Sequence, residues 1–263
     1  MEVPASSQAG VAQSFEHAAA TQSALRAIYF DTEQQDLRRN GMSLRLRLEG
    51  EAWIQTVKAE TGSPLARLEH NVERELAADP LPAINLARHK TGEVGKQLAR
   101  ALAGRGGWRA RLLPMFEVQV QRRTLLVTTP EAAVELVFDQ GRIEAGSAVQ
   151  PVSELELELK SGDPGQVLKL ARQWCATHGL WLNTVSKASR GWRLVDGGGF
   201  GPAVFAHPPQ YKAKTAGGAV VARVLDSCLD HVLGNAAAVA AGSRSDDHIH
   251  QLRVGLRRLR TAV

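Results

Sequence analysis

Alternation of leucine with charge is the strongest pattern in this chain. Glu154-Leu155-Glu156-Leu157-Glu158-Leu159-Lys160 places three carboxylates and an ammonium at every second position. Successive side chains of an extended strand point to opposite faces. Glu154, Glu156, Glu158 and Lys160 therefore share one face, and the leucines share the other; a helix would scatter both sets. Like charges side by side repel at sheet spacing, so this row of Glu makes most sense beside cations or basic neighbours. The same alternation recurs upstream. Ser43 to Glu49 sets Arg45, Arg47 and Glu49 against Leu44, Leu46 and Leu48. Trp53 to Ala59 groups Ile54, Thr56 and Lys58, and Arg67 to Glu75 groups Arg67, Glu69, Asn71, Glu73 and Glu75. Phe116 to Val127 groups Glu117, Gln119, Gln121 and Arg123, while Val134 to Asp139 sets Glu135 and Asp139 against Val134, Leu136 and Phe138.

Between and around these strands the period changes. Residues 5–27 are rich in Ala, Ser and Gln and read as helix, with Val11, Phe15 and Ala18 at helical spacing. Ile28 to Thr32 is a short apolar strand ending in a turn. Residues 80–114 read as a helical excursion, and a helix is expected from Pro164 to His178. Residues 196–218 are rich in Gly and Pro and read as a linker. Val220 to Ala241 is an amphipathic helix. Ser245-Asp246-Asp247 is an N-cap with early acids, followed by an apolar stripe of Ile249, Leu252, Leu256, Leu259 and Val263. One residue on runs a basic stripe of His250, Arg253, Arg257 and Arg260, with Arg258 at its flank. Residues 219–263 cannot bury their apolar stripes alone, so they are expected to dock on the barrel, to dock on another chain (self-association through these helices included), or to stay partly disordered.

Six or more strands with one apolar and one charged face predict an α+β fold: an antiparallel sheet closed into a barrel, with flanking helices. Periodicity does not choose whether the charges face outward or inward. Facing inward, they would line a lumen suited to a polyanion bridged to carboxylates by divalent cations. The chain has 263 residues, 44% of them hydrophobic and 22% charged, enough for a sizeable core. Cys175 and Cys228 are too few for a disulfide framework and favour a reducing compartment. The opening Met1-Glu2-Val3-Pro4 lacks the form of a leader, and no apolar run suits a membrane span. A soluble cytoplasmic protein is expected. Aromatic content is 5% and no nucleic-acid motif is present, which argues against specific nucleic-acid recognition.

The order of short motifs adds a resemblance. Tyr29-Phe30-Asp31-Thr32, Gly41-Met42-Ser43-Leu44-Arg45-Leu46-Arg47, Gln55-Thr56-Val57-Lys58 and Arg67-Leu68-Glu69-His70-Asn71-Val72 come first. Phe116 with Arg122, Val134 to Gly141, Glu154 to Gly162, and Ser186-Lys187-Ala188-Ser189-Arg190-Gly191 follow. Together, over residues 28–195, they resemble a CYTH domain of the triphosphate tunnel metalloenzymes, most closely the bacterial inorganic triphosphatase branch. His250-Gln251-Leu252-Arg253-Val254 with Arg257-Arg258-Leu259-Arg260 resembles the opening of a CHAD domain, a helical module that binds polyphosphate.

The resemblance implies a CYTH-like domain over 1–195, a linker over 196–218 and the start of a CHAD-like domain over 219–263. It implies a tunnel of eight antiparallel strands with charges inside, hydrolysing inorganic triphosphate with Mg²⁺ or Mn²⁺. Carried over, Arg45, Arg47, Lys58, Arg122, Lys187 and Arg190 would bind substrate. Glu69, Glu135, Asp139, Glu156 and Glu158 would form the acidic metal set, with Glu156, Glu158 and Lys187 catalytic. Glu154 would stand at the mouth, and Lys160 would cap the face. His250, Arg253, Arg257 and Arg260 would contact polyphosphate. Simple alternation selects Arg123 where the family spacing selects Arg122; a bulge would reconcile them. The family begins with a Glu-x-Glu-x-Lys strand that is absent before the first helix here, with Glu2 standing as its tail. Either the true start lies upstream, or metal binding is impaired and a sheet edge is left unpaired. The alternatives are a non-catalytic module for polyphosphate or an organic phosphate, and an adenylate cyclase of the class IV type.

Overall fold

The alternating segments form two β-meanders that share one sheet. The computed structural model describes residues 1–18, 20–63, 66–74 and 81–263. Helix α1 (Gln8–His17) precedes β1 (Thr21–Asp31) and a short α2 (Asp36–Arg39). Strands β2 (Met42–Glu49), β3 (Ala52–Ser63) and β4 (Ala66–Arg74) complete the first meander. Past α3 (Gly92–Ala101) the chain returns as β5 (Leu113–Thr128), β6 (Ala132–Ala145) and β7 (Ala148–Gly162). Helices α4 (Gly165–His178) and α5 (Lys187–Val195) follow, then α6 (Gly217–Ala240) and α7 (Asp246–Ala262). Among the described residues the sheet has seven strands in the order β4-β3-β2-β1-β5-β6-β7, and every neighbouring pair is antiparallel.

Strand β1 is longer than its sequence suggests. Residues 21–27, expected to be helical, are its first half; all of them pair with β5, and from Leu25 onward they pair with β2 as well. Backbone pairing with β5 overrides the weak strand propensity of Thr21-Gln22-Ser23-Ala24. Among the described residues the sheet ends at β4 and β7 and does not close into a ring. The β7 edge is nonetheless partly covered. The Val3 N–H donates to Ser153 O at 2.9 Å, the Leu155 N–H donates to Met1 O at 2.8 Å, and Glu2 bridges to Glu154 and Trp181. Glu75 lies outside the described residues.

Helices seal the leucine face of each alternating strand. Leu44, Leu46 and Trp53 pack with Val94, Leu98 and Leu102 of α3 and its flank. Val134, Leu136, Phe138 and Leu155 pack with Val11 and Phe15 of α1 and Leu170 and Trp174 of α4. Each large apolar side chain so buried contributes about 1.5–3 kcal/mol. The charged residues must then occupy the opposite, inner face. A third cluster lies on that inner face along the two central strands, where Leu25, Ala27 and Tyr29 meet Phe116, Val118 and Val120, and Trp192 covers them. The Tyr29-Phe30-Asp31-Thr32 motif is structural. The buried Asp31 carboxylate accepts the backbone N–H groups of Thr32, Leu37 and Arg38 at 2.7, 2.9 and 2.9 Å, fixing the turn into α2.

The C-terminal helices pack along a polar seam rather than along the leucine stripe. His231 on α6 meets Gln251 at 3.0 Å and Arg258 at 3.1 Å, and Gly255 lets α7 approach Val232. Ile249 and Leu256 remain exposed. His250, Arg253, Arg257 and Arg260 are exposed on α7. Among the described residues no helix is long and apolar enough to cross a membrane.

One buried contact beside β4 carries a pH signature. His70 Nδ1 lies 2.7 Å from His89 Nδ1, a spacing that admits one shared proton. His89 is fully buried, and its Nε2 has no partner among the described residues. Burial, His70 and Arg74 push its pKa from 6.5 down to about 4. The unfolded chain therefore binds a proton there, between these two values, that the folded chain refuses. Stability should be full above the unfolded value and fall as pH drops through the window, by up to roughly 3 kcal/mol. Denaturant unfolding above and within that window should show the loss, and His89→Gln should flatten it. An unchanged slope in the variant would assign the effect to other groups.

Candidate functional site

All seven strands contribute side chains to one inner cavity of about 590 Å³. Its floor is apolar, from Leu25, Ala27, Tyr29 and Val118 of β1 and β5. One wall is basic, with Arg45 and Arg47 on β2 and Lys58 on β3. The other is acidic, with Glu135 on β6 and Glu156 and Glu158 on β7. Arg122 on β5 and Lys187 on α5 complete the lining between them. Both walls are lined because β4 and β7, the two ends of the sheet, curl to face the same space.

Most charges are already matched. Lys58 pairs with Glu69 at 2.7 Å, Arg47 with Glu49 at 2.5 Å, and Lys160 with Glu135 and Glu158 at 2.8 and 3.3 Å. Arg122 grips the fully buried Asp139 with two hydrogen bonds of 2.8 and 2.7 Å. Arg45 differs. Its guanidinium donates to the Tyr29 hydroxyl at 3.3 Å, and among the described residues no carboxylate pairs with it. Burial, together with the like charges of Arg45 and Arg122, presses the Arg47 guanidinium below its ordinary value. The basic wall thus carries positive charge in excess of its own counter-ions.

The acidic end holds a denser cluster. Carboxylate oxygens of Asp139, Glu154 and Glu156 all lie within 4.8 Å of one another. The Lys187 ammonium sits among them, bonded to Asp139 at 2.8 Å, Glu156 at 3.0 Å and Glu154. Burial pushes against the Lys187 charge, but Glu154, Glu156 and Asp139 hold its pKa above the ordinary value. Burial raises Glu154 despite Lys187 and Arg190. For Glu156, burial is outweighed by Lys187, by a hydrogen bond from Glu154 and by Arg122, and its pKa falls. Two carboxylates at alternate positions of one strand cannot share a buried end equally, and the more exposed one keeps the charge.

Helix α5 delivers the lysine. Ser186 caps it, its hydroxyl accepting the Ser189 N–H at 3.1 Å. Lys187 and Arg190, three residues apart, fall on one face. The seat is tight: Phe116 stacks on Tyr29 at 4.5 Å and meets Trp192 edge-on at 5.4 Å. Gly191 lies directly over Phe116.

Of the residues expected from sequence, Arg45, Arg47, Lys58, Glu69, Arg122, Glu135, Glu156, Glu158 and Lys187 line this cavity. Asp139 lies just beneath it, under Arg122 and Lys187. Arg190 does not line it; it is 4% exposed and bonded to Glu154. Glu154, expected at the mouth, is 7% exposed and lies deep in the cluster. Lys160 does more than cap its face, since it ties Glu135 to Glu158. Arg122 needs no bulge. It is in phase with Val118 and Val120, and the β5–β6 register runs without a break from Glu117 to Thr128. Arg123 points to the other face, 5.8 Å over the Phe138 ring. The basic stripe of α7 is not part of this cavity. Tyr29 falls in an expected short strand, but the inner face it shares with Leu25 and Ala27 is not legible while residues 21–27 read as helix. Read as strand, Leu25, Ala27 and Tyr29 alternate onto the inner face.

A side chain at 191 would break the seat. An added Cβ would lie 2.2 Å from two Phe116 ring carbons, and the stacked ring cannot retreat. Gly191→Ala should cost about 1–3 kcal/mol by overpacking, seen as a lower unfolding midpoint. Unchanged stability would show that α5 is not held by this contact.

Comparison with known proteins follows the same outline. The CYTH domain profile matches residues 3–192, and the CHAD domain profile matches residues 223–263. The inorganic triphosphatase of Haemophilus influenzae is 30% identical over 166 residues. That stretch is 63% of this chain and 44% of that protein, so the match covers less than half of the relative's length. Among solved structures, a putative adenylate cyclase from Bacillus halodurans is 15% identical with a TM-score of 0.44, covering 72% of this chain and 93% of that one. A putative adenylyl cyclase from Hippeastrum, described as having a dominant triphosphatase activity, is 15% identical with a TM-score of 0.45, covering 75% and 93%.

Proposed function

The chain belongs to the CYTH domain family, and on that premise we propose that its cavity binds inorganic triphosphate and hydrolyses it with Mg²⁺ or Mn²⁺. The observation that carries this reading is the basic wall at Arg45, whose half-buried guanidinium has no carboxylate partner among the described residues. A confined guanidinium without a counter-ion favours phosphate, which it can engage with two parallel hydrogen bonds. Arg47, Lys58 and Arg122 extend the grip by exchanging their present carboxylates for phosphate oxygens. The match to an inorganic triphosphatase supports the choice of substrate.

Asp139, Glu154 and Glu156 form an all-oxygen donor set of the kind hard divalent cations take. Glu135 and Glu158 extend it toward the cavity. When bound there, such an ion supplies charge neutralisation at the transferring phosphoryl group. Lys187 fills the centre of this set in the structure and already neutralises part of its charge. That placement favours a second reading, a module that holds phosphate without turning it over. The exposed His250, Arg253, Arg257 and Arg260 of α7 are a separate anion-binding face on this proposal, directed at polyphosphate.

Tripolyphosphate should raise the thermal midpoint, and Arg45→Ala or Lys58→Ala should abolish the rise. With Mg²⁺ or Mn²⁺ present, phosphate release should follow and fall by about 100-fold or more in Glu156→Gln. Stabilisation without release would leave the binding module standing. Equal stabilisation of wild type and both basic-wall variants would sink the assignment of the cavity.

A further inference from the structure

A second cavity of about 300 Å³ lies beside the first, between β2, β3, α5 and the linker at Gly201 and Pro202. Ser43, Lys58, Ser186 and Ala188 line both, so the two share a lip. The lining of the second is also basic, with Arg38, Lys58 and Arg193 against the single carboxylate of Asp196. Asp196 is already taken by Arg38 through hydrogen bonds of 2.9 and 2.6 Å. Lys58 is held by Glu69 on the far side of the lip. Arg193 has no ion-pair partner among the described residues. Burial and the like charge of Arg190 press its guanidinium below the ordinary value, with no carboxylate opposing them. A half-buried cation whose charge no ion pair among the described residues offsets gains from a bound anion. The Ser189 hydroxyl beside it can donate or accept.

The two unmatched guanidiniums, Arg45 and Arg193, thus lie in adjoining cavities with Lys58 on the lip between them. The lining of the second offers no open aromatic platform. Trp192 is 7% exposed, and the Arg38 guanidinium lies 4.9 Å over its ring. A flat base or other aromatic ring is therefore poorly served there, whereas further phosphoryl groups are well served. We propose that the second cavity is a phosphate subsite continuing the first, so that the site accepts linear polyphosphates longer than triphosphate, with the additional groups on Arg193 and Ser189. This rests on the reading that the first cavity takes triphosphate.

The test is calorimetric titration of the full chain, with chelator present to prevent turnover. The probes are tripolyphosphate, a size-fractionated longer linear polyphosphate, and ATP. Arg193→Gln should weaken the longer chain by about tenfold, the loss expected for one charge-assisted hydrogen bond. It should leave tripolyphosphate within about twofold. Arg193→Lys, which restores the charge, should recover most of the affinity and shows that the change is not misfolding. Equal effects on the short and long chains, or none on either, would overturn the subsite. So would a loss confined to ATP, which would assign the pocket to a nucleoside. If Arg45→Ala leaves tripolyphosphate affinity unchanged, the underlying reading fails instead, and that outcome is separate from the behaviour of Arg193.

Discussion

Burial of the leucine faces is the constraint on which the rest of this structure depends. Leu44 and Leu46 lie under α3, and Leu155 lies under α1 and α4 with Phe138. Side chains alternate strictly along a strand, so sealing one face fixes the other. Arg45, Arg47, Glu156 and Glu158 are turned inward because their leucine neighbours are held outward. A one-residue slip would expose the leucines and bury the charges against helices. The apolar packing therefore specifies the geometry of a polar site that it never touches.

Inward charge would be self-defeating if each strand met its own kind. The strand order avoids this by keeping the basic strands β2 and β3 on one side of β1 and the acidic strands β6 and β7 on the other. Within each wall, cross-strand and same-strand partners cancel most of the charge: Lys58 with Glu69, Lys160 with Glu135 and Glu158, Arg122 with Asp139. What remains uncancelled is local. Arg45 has no carboxylate paired with it among the described residues, and three carboxylates crowd around Lys187. Charges held in a partly enclosed space interact more strongly than on an open surface. These residues are where a phosphate and a cation would find the largest gain.

Helix α5 links that chemistry to the fold's stability. Its lysine reaches the acidic cluster only because Gly191 lets the helix settle on Phe116, which is itself braced by Tyr29 and Trp192. The same helix carries Arg190 to Glu154 and Arg193 to the neighbouring cavity. Three basic residues, each three positions from the next, are thus distributed along one element. The α6–α7 hairpin follows a different logic, with a seam of His231, Gln251 and Arg258 that leaves Ile249, Leu256, Arg253, Arg257 and Arg260 outside.

The sequence by itself determined which residues share a face. Period-two alternation in Ser43 to Glu49, Val134 to Asp139 and Glu154 to Lys160 needs no partner to be read, because it follows from strand geometry alone. The ordered motifs also made the family legible, and with it most residues that line the cavity. Tertiary structure decided what alternation leaves open. Which face turns inward depended on helices that are distant in sequence. The first half of β1 became strand because β5 pairs with it, joined by β2 from Leu25 onward, against its own propensity. Arg122 rather than Arg123 faces the cavity because β5 turns its apolar face inward, unlike the strands on either wall. Glu154 moved from an expected mouth to a buried cluster because α5, a separate element, brings Lys187 and Arg190 onto it. Alternation is a local property of a strand, whereas burial and pairing are properties of what the rest of the chain packs against it.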